Sequence, residues 1–166
     1  MMAAATYILP QHLPDASRSS MDFYDTAFFR ANGSNPQLPR PEEVRRLSGA
    51  NKSHPQPTPV VFEDLNLIVK YGPHVKIAEA QCLWIIRRVL GNAVPVPEAY
   101  GWRVDGRDVF IYMQLIRGHR LKDRWESLTI TEKANICDEL RGITTTLRQV
   151  RQDPSDLFIG RHNPHM

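Results

Sequence analysis

The chain has few of the residues that would cross-link it or carry it through a membrane. It contains two cysteines, Cys82 and Cys137, with no Cys or His at metal-ligand spacing beside either one. Both fall on the apolar side of a predicted helix, so we expect buried free thiols rather than a disulfide or a zinc site. No stretch approaches the roughly 18 apolar residues of a membrane helix, and the amino terminus lacks a positive region typical of signal peptides. The sequence therefore predicts a soluble, cytoplasmic protein without a membrane partner.

The chain also lacks a concentrated basic surface. Its formal net charge is +3 and its pI is near 9.0, but the basic residues are dispersed as pairs and single arginines. Nucleic-acid binders usually gather Lys and Arg on one face or in a recognisable module. The sequence shows neither feature, so we predict no nucleic-acid partner.

The first third of the chain lacks a long apolar period. Eight of the 13 prolines precede Val60, together with most of the Ser and Asn clusters. Such a segment is expected to bury too little apolar surface to offset its ordering entropy. The sequence predicts a disordered or loosely draped segment over residues 1–38 and two ordered parts, 39–118 and 119–166, with a proline-spaced linker at 54–59.

Two predicted β-hairpins form the centre of the chain. The apolar runs Val60–Glu63 and Leu67–Tyr71 are separated by Asp64-Leu65-Asn66, and the runs Ala99–Val104 and Val109–Leu115 are separated by a turn containing Asp-Gly. Short β-branched runs divided by turn residues are typical of hairpins. Side chains alternate along a strand, so Ile68 and Lys70 are predicted to share one face.

Helical patterns surround these strands. A short helix is predicted near residues 39–47, a longer one over 75–90, and another short one over 121–128. Thr129 and Glu132 form a capping-box pattern that opens the last helix. One apolar stripe runs along that helix, and a further element is expected to begin at Leu157–Gly160. The stripe comprises Ile136, Leu140, Ile143, Leu147 and Val150. The predicted fold class is α+β, with a small antiparallel sheet and one packed helix followed by two helices.

A lysine and a glutamate nine residues apart carry the strongest functional signal. Lys70 lies on an apolar strand and Glu79 lies early on the next helix, which is the ion-pair arrangement that kinases use to hold nucleotide phosphates. Two simpler interpretations remain open. A lysine near a strand end, taken alone, is more often a surface residue whose stem covers apolar groups. Glu79 is equally typical of a solvated acid that complements the helix dipole.

The order of these motifs resembles the aminoglycoside phosphotransferase and choline-kinase-like branch of the protein-kinase-like fold, in a short-hairpin form common among fungal phosphotransferase-like proteins. The resemblance covers about Pro39 to Gly160. It is carried by Ile68–Gly72, Glu79-Ala80, Val94-Pro95-Val96-Pro97, Met113–Gly118, Trp125–Leu128, Leu147-Arg148 and Phe158-Ile159-Gly160.

The resemblance implies a kinase-like amino-terminal lobe, a hinge and the start of a second lobe. It implies that Lys70 contacts the phosphates of ATP and that Glu79 orients Lys70. The main chain of Gln114, Leu115 and Ile116 would hydrogen-bond adenine, with Met113 at the back of the pocket.

The sequence departs from the family pattern in two places. No glycine-rich loop precedes Lys70, so the turn at residues 64–66 would have to cover the phosphates. The His-Gly-Asp loop, its following Asn and the metal-binding Asp of the family do not occur, so no catalytic residue and no Mg²⁺ site is predicted. We therefore expect a truncated phosphotransferase-like protein with at most weak ATP binding and no catalysis by this chain alone.

The alternative is a non-enzymatic interaction module. The stripe from Ile136 to Val150 would then dock on a protein partner or on a second copy of the chain.

Overall fold

A computed structural model describes residues 6–49 and 59–152, which form seven strands and five α-helices. The linker predicted at 54–59 falls outside these residues except for Pro59, as does the element predicted at Leu157–Gly160. The strands are β1 (Thr6–Ile8), β2 (Ser20–Asp22), β3 (Val60–Phe62), β4 (Leu67–Gly72), β5 (Ala99–Asp105), β6 (Asp108–Gln114) and β7 (Val150–Gln152). The helices are α1 (Ala27–Ala31), α2 (Pro41–Leu47), α3 (Ile77–Leu90), α4 (Leu121–Arg124) and α5 (Ile130–Leu147).

A five-stranded antiparallel sheet organises the chain, in the order β2-β5-β6-β4-β3. Both predicted hairpins are present. Gly106 begins the two-residue turn between β5 and β6 at φ 61°, a left-handed conformation that glycine adopts without steric cost. Asn66 ends the turn between β3 and β4 at φ 49°. The sheet and its helices confirm the predicted α+β class.

One face of the sheet is covered by residues from the first third of the chain. Val69 of β4 and the aromatic rings of Tyr100, Phe110 and Tyr112 are buried there. The covering residues are Phe28, Phe29, Leu38 and Val44. Tyr112 donates a 2.8 Å hydrogen bond from its hydroxyl to the Pro39 carbonyl, inside this core.

The predicted disorder over residues 1–38 is wrong for the part that the structure describes. Strand β2 pairs with β5 at the sheet edge, and Phe23, Phe28, Phe29 and Leu38 are buried. Aromatic side chains bury a large apolar area each, so a few of them at separate points offset the cost of ordering a proline-rich segment. Average composition did not reveal this.

Helix α3 packs on the other face of the sheet. Ala80 of α3 is buried beside Trp102, Ile111 and the partly buried Met113. The Trp102 indole N–H donates a 2.9 Å hydrogen bond to the Arg18 carbonyl, which anchors the amino-terminal segment on this side too. The sheet is therefore covered on both faces.

Two smaller predictions also need correction. Cys82 and Cys137 are free thiols, but both are exposed, because α3 presents its apolar side through Ala80 and Ile85 and α5 buries no residue. Helix α5 ends at Leu147, so Val150 belongs to β7, which pairs in parallel with β1, and not to the helical stripe. No helix among the described residues is long and apolar enough to cross a membrane.

Candidate functional site

Lys70 lies on the face of β4 that α3 covers. Along β4 the side chains of Leu67, Val69 and Tyr71 are buried in the opposite core, whereas Lys70 is exposed. This is the alternation expected from the sequence. The Lys70 side chain is 45% exposed, so its ammonium group is accessible to solvent and to a ligand.

Glu79 joins this lysine to the start of α3. One carboxylate oxygen of Glu79 forms a salt bridge with the Lys70 ammonium group. The other oxygen accepts a hydrogen bond from the Lys76 backbone N–H at 3.2 Å, and the Glu79 N–H donates to the Lys76 carbonyl at 2.9 Å. Glu79 thus satisfies an N–H at the helix start, where a negative charge also complements the helix dipole. The structure brings the two predicted residues together.

Met113 and the predicted hinge residues, Gln114 to Ile116, lie at one end of the strand pair formed by β4 and β6. Met113 is paired with Ile68 across β4 and β6, and Lys70 is paired with Ile111. Directly paired residues of antiparallel strands share a face, so Met113 and Lys70 face the same side. Lys70 is two residues from Ile68 along β4, which corresponds to about 7 Å of strand.

The hinge backbone is partly committed to the sheet. The Gln114 N–H donates to the Glu98 carbonyl at 2.9 Å, and the Leu115 N–H donates to the Asn66 carbonyl at 3.1 Å. Within the described part of the chain, the Ile116 N–H and the Leu115 carbonyl have no hydrogen-bond partner. The Ile116 side chain is 61% exposed. A ligand at the hinge would therefore meet Leu115 and Ile116 rather than the Gln114 N–H.

The turn between β3 and β4 is placed at the hinge and not over Lys70. Its last residue, Asn66, is bonded to Leu115, and Glu63 forms a 3.0 Å salt bridge with Arg117. Leu67, the first residue of β4, is paired with Gln114 next to the hinge. Asn66 precedes Leu67 and is four residues from Lys70, which corresponds to roughly 13 Å along the strand. The prediction that this turn covers the phosphates is wrong, because β4 runs away from the turn and Lys70 lies near the far end of the strand.

Sequence reasoning missed Asn66 and Glu98 as hinge supports. Asn66 is the one non-glycine residue with positive φ among those described, and asparagine tolerates that conformation better than most residues. The preference of asparagine for this conformation was the sequence signal that could have identified Asn66. No sequence motif marks Glu98. Its carbonyl accepts from the Gln114 N–H and its carboxylate accepts from the Ala27 N–H at 3.0 Å, and both partners are distant in sequence.

Three of the cavities among the described residues lie on other surfaces. One of about 510 Å³ includes Arg45, His74 and Arg107 in its lining. Cavities of about 300 Å³ and about 120 Å³ lie near Arg40 and near Trp84. None of the three is lined by Lys70, Glu79 or a hinge residue, and no group of three or more potential metal ligands occurs among residues 6–49 and 59–152.

Comparisons with protein-family models, with curated proteins and with solved structures found no match. The chemistry of the candidate site is therefore inferred from its own groups. One face presents an accessible ammonium group held by a carboxylate, and the adjacent strand end presents one N–H and one carbonyl. Such a combination can contact an anion at one point and a hydrogen-bonding base at the other.

Proposed function

We propose that this chain is a kinase-like nucleotide-binding lobe that binds ATP or ADP weakly between Lys70 and the hinge. The observation that carries the proposal is the ion pair between Lys70 of β4 and Glu79 of α3. In kinases the corresponding pair must be in place for the lysine to hold the phosphates. The proposal concerns binding alone.

The electrostatics of the pair suit an exchangeable phosphate contact. Both side chains are about 40% exposed or more, so neither charge is trapped in a dry interior. An exposed ion pair contributes little net free energy, so a phosphate can take over one of the Lys70 hydrogen bonds at small cost. Glu79 remains tied to the helix start through Lys76 and would keep Lys70 in place.

The hinge supplies the second contact. Adenine presents an amino donor and ring-nitrogen acceptors. The peptide group between Leu115 and Ile116 offers a carbonyl and an N–H that point in opposite directions, so the base would pair with one of the two. The side chain of Met113, paired with Ile68, would lie against the apolar base. The separation from Lys70 lets an extended nucleotide reach both points. We expect affinity on the order of 0.1–1 mM, because few groups contact the ligand.

Calorimetric titration of the full chain with ATP and ADP tests the proposal. Lys70→Ala should weaken binding about tenfold, as expected for loss of one charge-assisted hydrogen bond. Glu79→Ala should weaken it less, because it removes the orienting group and not the contact. Lys122→Ala removes the same charge from α4 and should leave the affinity unchanged.

Adenosine provides a second control. It lacks phosphates, so its binding should be insensitive to Lys70→Ala. Micromolar ATP affinity that survives Lys70→Ala would contradict the proposed site, as would equal effects of the Lys70 and Lys122 substitutions.

A further inference from the structure

Ser48 follows two adjacent arginines and one spacer residue, in the run Arg45-Arg46-Leu47-Ser48. Kinases that select basic substrates place carboxylates where arginines three and two residues before the acceptor hydroxyl form bidentate pairs. The other pair of adjacent arginines, Arg87-Arg88, is followed by two apolar residues, so no second hydroxyl stands at this spacing. The run therefore marks one serine of the chain.

Ser48 lies at the carboxyl end of α2. It is the residue after the helix, and its backbone N–H donates to the Val44 carbonyl at 3.0 Å. Its side chain is partly exposed, and within the described part of the chain its hydroxyl has no hydrogen-bond partner. The Ser127 hydroxyl, by contrast, donates to the Arg124 carbonyl at 2.8 Å. The Ser48 hydroxyl is therefore available to accept a phosphoryl group.

The first arginine of the run is held by the β5–β6 turn. The Arg45 guanidinium forms salt bridges with Asp105 and with Asp108, the latter at 3.0 Å, and donates to the Asp105 carbonyl at 3.1 Å. It also lies over the ring of Phe110, 5.0 Å from the centroid. Arg46 is exposed and forms no ion pair with any described residue. A kinase can therefore reach Arg46 directly but can bind Arg45 only when the contacts with the turn open.

We propose that Ser48 is a phosphorylation site for a separate, arginine-directed serine kinase, and that the β5–β6 turn limits the reaction by holding Arg45. In this reaction the Ser48 Oγ forms a bond to the γ-phosphorus of ATP. The bond between that phosphorus and the oxygen bridging to the β-phosphate breaks, ADP leaves, and the hydroxyl proton passes to a carboxylate of the kinase. The site does not depend on the proposed nucleotide site.

Phosphorylation acts on the contact between α2 and the sheet. A phosphoserine adds a charge of about −1.5 to −2 at neutral pH, and the carboxyl end of a helix disfavours negative charge. The phosphate oxygens of Ser48 lie about one helical turn from Arg45 and compete with Asp105 and Asp108 for its guanidinium. The modified chain should therefore lose hydrogen-exchange protection in α2 and at residues 105–108. Unchanged protection in both places would contradict this consequence.

Incubation of the full chain with Mg²⁺, ATP and the catalytic subunit of cyclic-AMP-dependent protein kinase tests the site. Peptide mass spectrometry should find a phosphate on Ser48, and Ser48→Ala should abolish it. Arg46→Ala should slow the reaction about tenfold, because one of the two charge-assisted contacts with the kinase is lost. No phosphate on Ser48, or equal rates for the wild type and Arg46→Ala, would overturn the proposal.

A double substitution tests control by the turn. Asp105→Asn with Asp108→Asn removes both charges that hold Arg45, and should speed the reaction about fivefold, as expected when an exposed ion pair is lost. Asp22→Asn is the matched control, because it removes a 2.7 Å salt bridge with Arg103 in the same sheet without releasing Arg45. Equal acceleration by the two variants would indicate general loosening of the fold, and no acceleration by the double variant would mean that the turn does not restrain Arg45. Either result would rule out control by the turn.

Discussion

The hydroxyl of Tyr112 donates a 2.8 Å hydrogen bond to the carbonyl of Pro39, joining the centre of the sheet to the segment that covers it. Both groups lie in the buried core, and Tyr112 has no exposed surface. A buried carbonyl that loses its donor cannot turn to water. This bond therefore helps to hold residues before α2 against the sheet.

Tyr112→Phe should lower the free energy of unfolding by about 1–2 kcal/mol, because it leaves the Pro39 carbonyl without its donor while the ring stays packed. Urea unfolding followed by circular dichroism measures the change. Tyr24→Phe is the control, since the Tyr24 hydroxyl makes only a long 3.4 Å contact with Asp22 at an exposed position. An equal effect of the two substitutions would show that the Pro39 bond is not specific.

The free energy of unfolding should fall as the pH rises above 10. Burial raises the pKa of Tyr100 to about 12, and burial likewise raises the pKa of Tyr112. Each phenol is neutral when protonated, so this stabilisation is present in full below the ordinary tyrosine pKa of about 10 and is lost as the pH rises through the folded-state pKa. Unfolding midpoints measured from pH 9 to about 12 should show the decline.

Tyr100→Phe should make the free energy of unfolding fall less steeply above pH 10, because it removes one of the two buried tyrosines with a raised pKa. Tyrosinate absorbance provides an independent measurement. If the variant's stability falls as steeply as the wild type's between pH 10 and about 12, Tyr100 does not titrate in the folded core as expected.

Gly101→Ala should displace β2 from the sheet edge. A Cβ at position 101 would lie 2.1 Å from the Met21 carbonyl oxygen, and that oxygen belongs to the backbone of β2. We expect a loss of about 2–3 kcal/mol, at the upper end of overpacking costs, because backbone must move. Hydrogen exchange should show loss of protection in β2.

Gly142→Ala makes the same chemical change on α5, where nothing lies within 4 Å of the new Cβ. It should stabilise the helix by about 0.5–1 kcal/mol. Comparable destabilisation by both substitutions would mean that the contact between Gly101 and Met21 does not determine the cost.

Lys70→Met should change the free energy of unfolding by less than about 1 kcal/mol, because the pair with Glu79 is exposed to water. Val69→Ala, at the adjacent buried position, should cost about 2 kcal/mol from lost apolar burial and a small cavity. Denaturant titrations of both variants measure the difference. A large loss on Lys70→Met would show that the lysine is structural, and nucleotide-binding data on that position would then need reinterpretation.

Elements formed by neighbouring residues were predictable from the sequence. Asp105-Gly106 predicts the β5–β6 hairpin, and the apolar residues of β4 predict its side-chain alternation. Thr129 and Glu132 predict the start of α5. The capping box is present, with the Thr129 N–H donating to the Glu132 carboxylate at 2.8 Å. Such hydrogen bonds also lower the pKa of Glu132. Each of these features depends on turn chemistry or periodicity within a few residues.

The candidate site was predictable only in part. The residue types and order suggested that Lys70 and Glu79 would meet, since a strand and the next helix are commonly adjacent in space. The hinge hydrogen bonds of Asn66 and Glu98 were not predictable, because each joins residues distant in sequence.

The sequence by itself determined the two hairpins, the amphipathic α3 and the face of β4 that carries Lys70, because periodicity and turn residues act locally. Only the tertiary structure decided that Phe23, Phe28 and Phe29 are buried and that residues 20–47 are integral to the sheet. Those aromatic residues follow no extended period, and their burial becomes favourable only when the assembled sheet offers them an apolar surface. The same long-range packing placed the β3–β4 turn at the hinge and left Leu140 and Leu147 of α5 exposed.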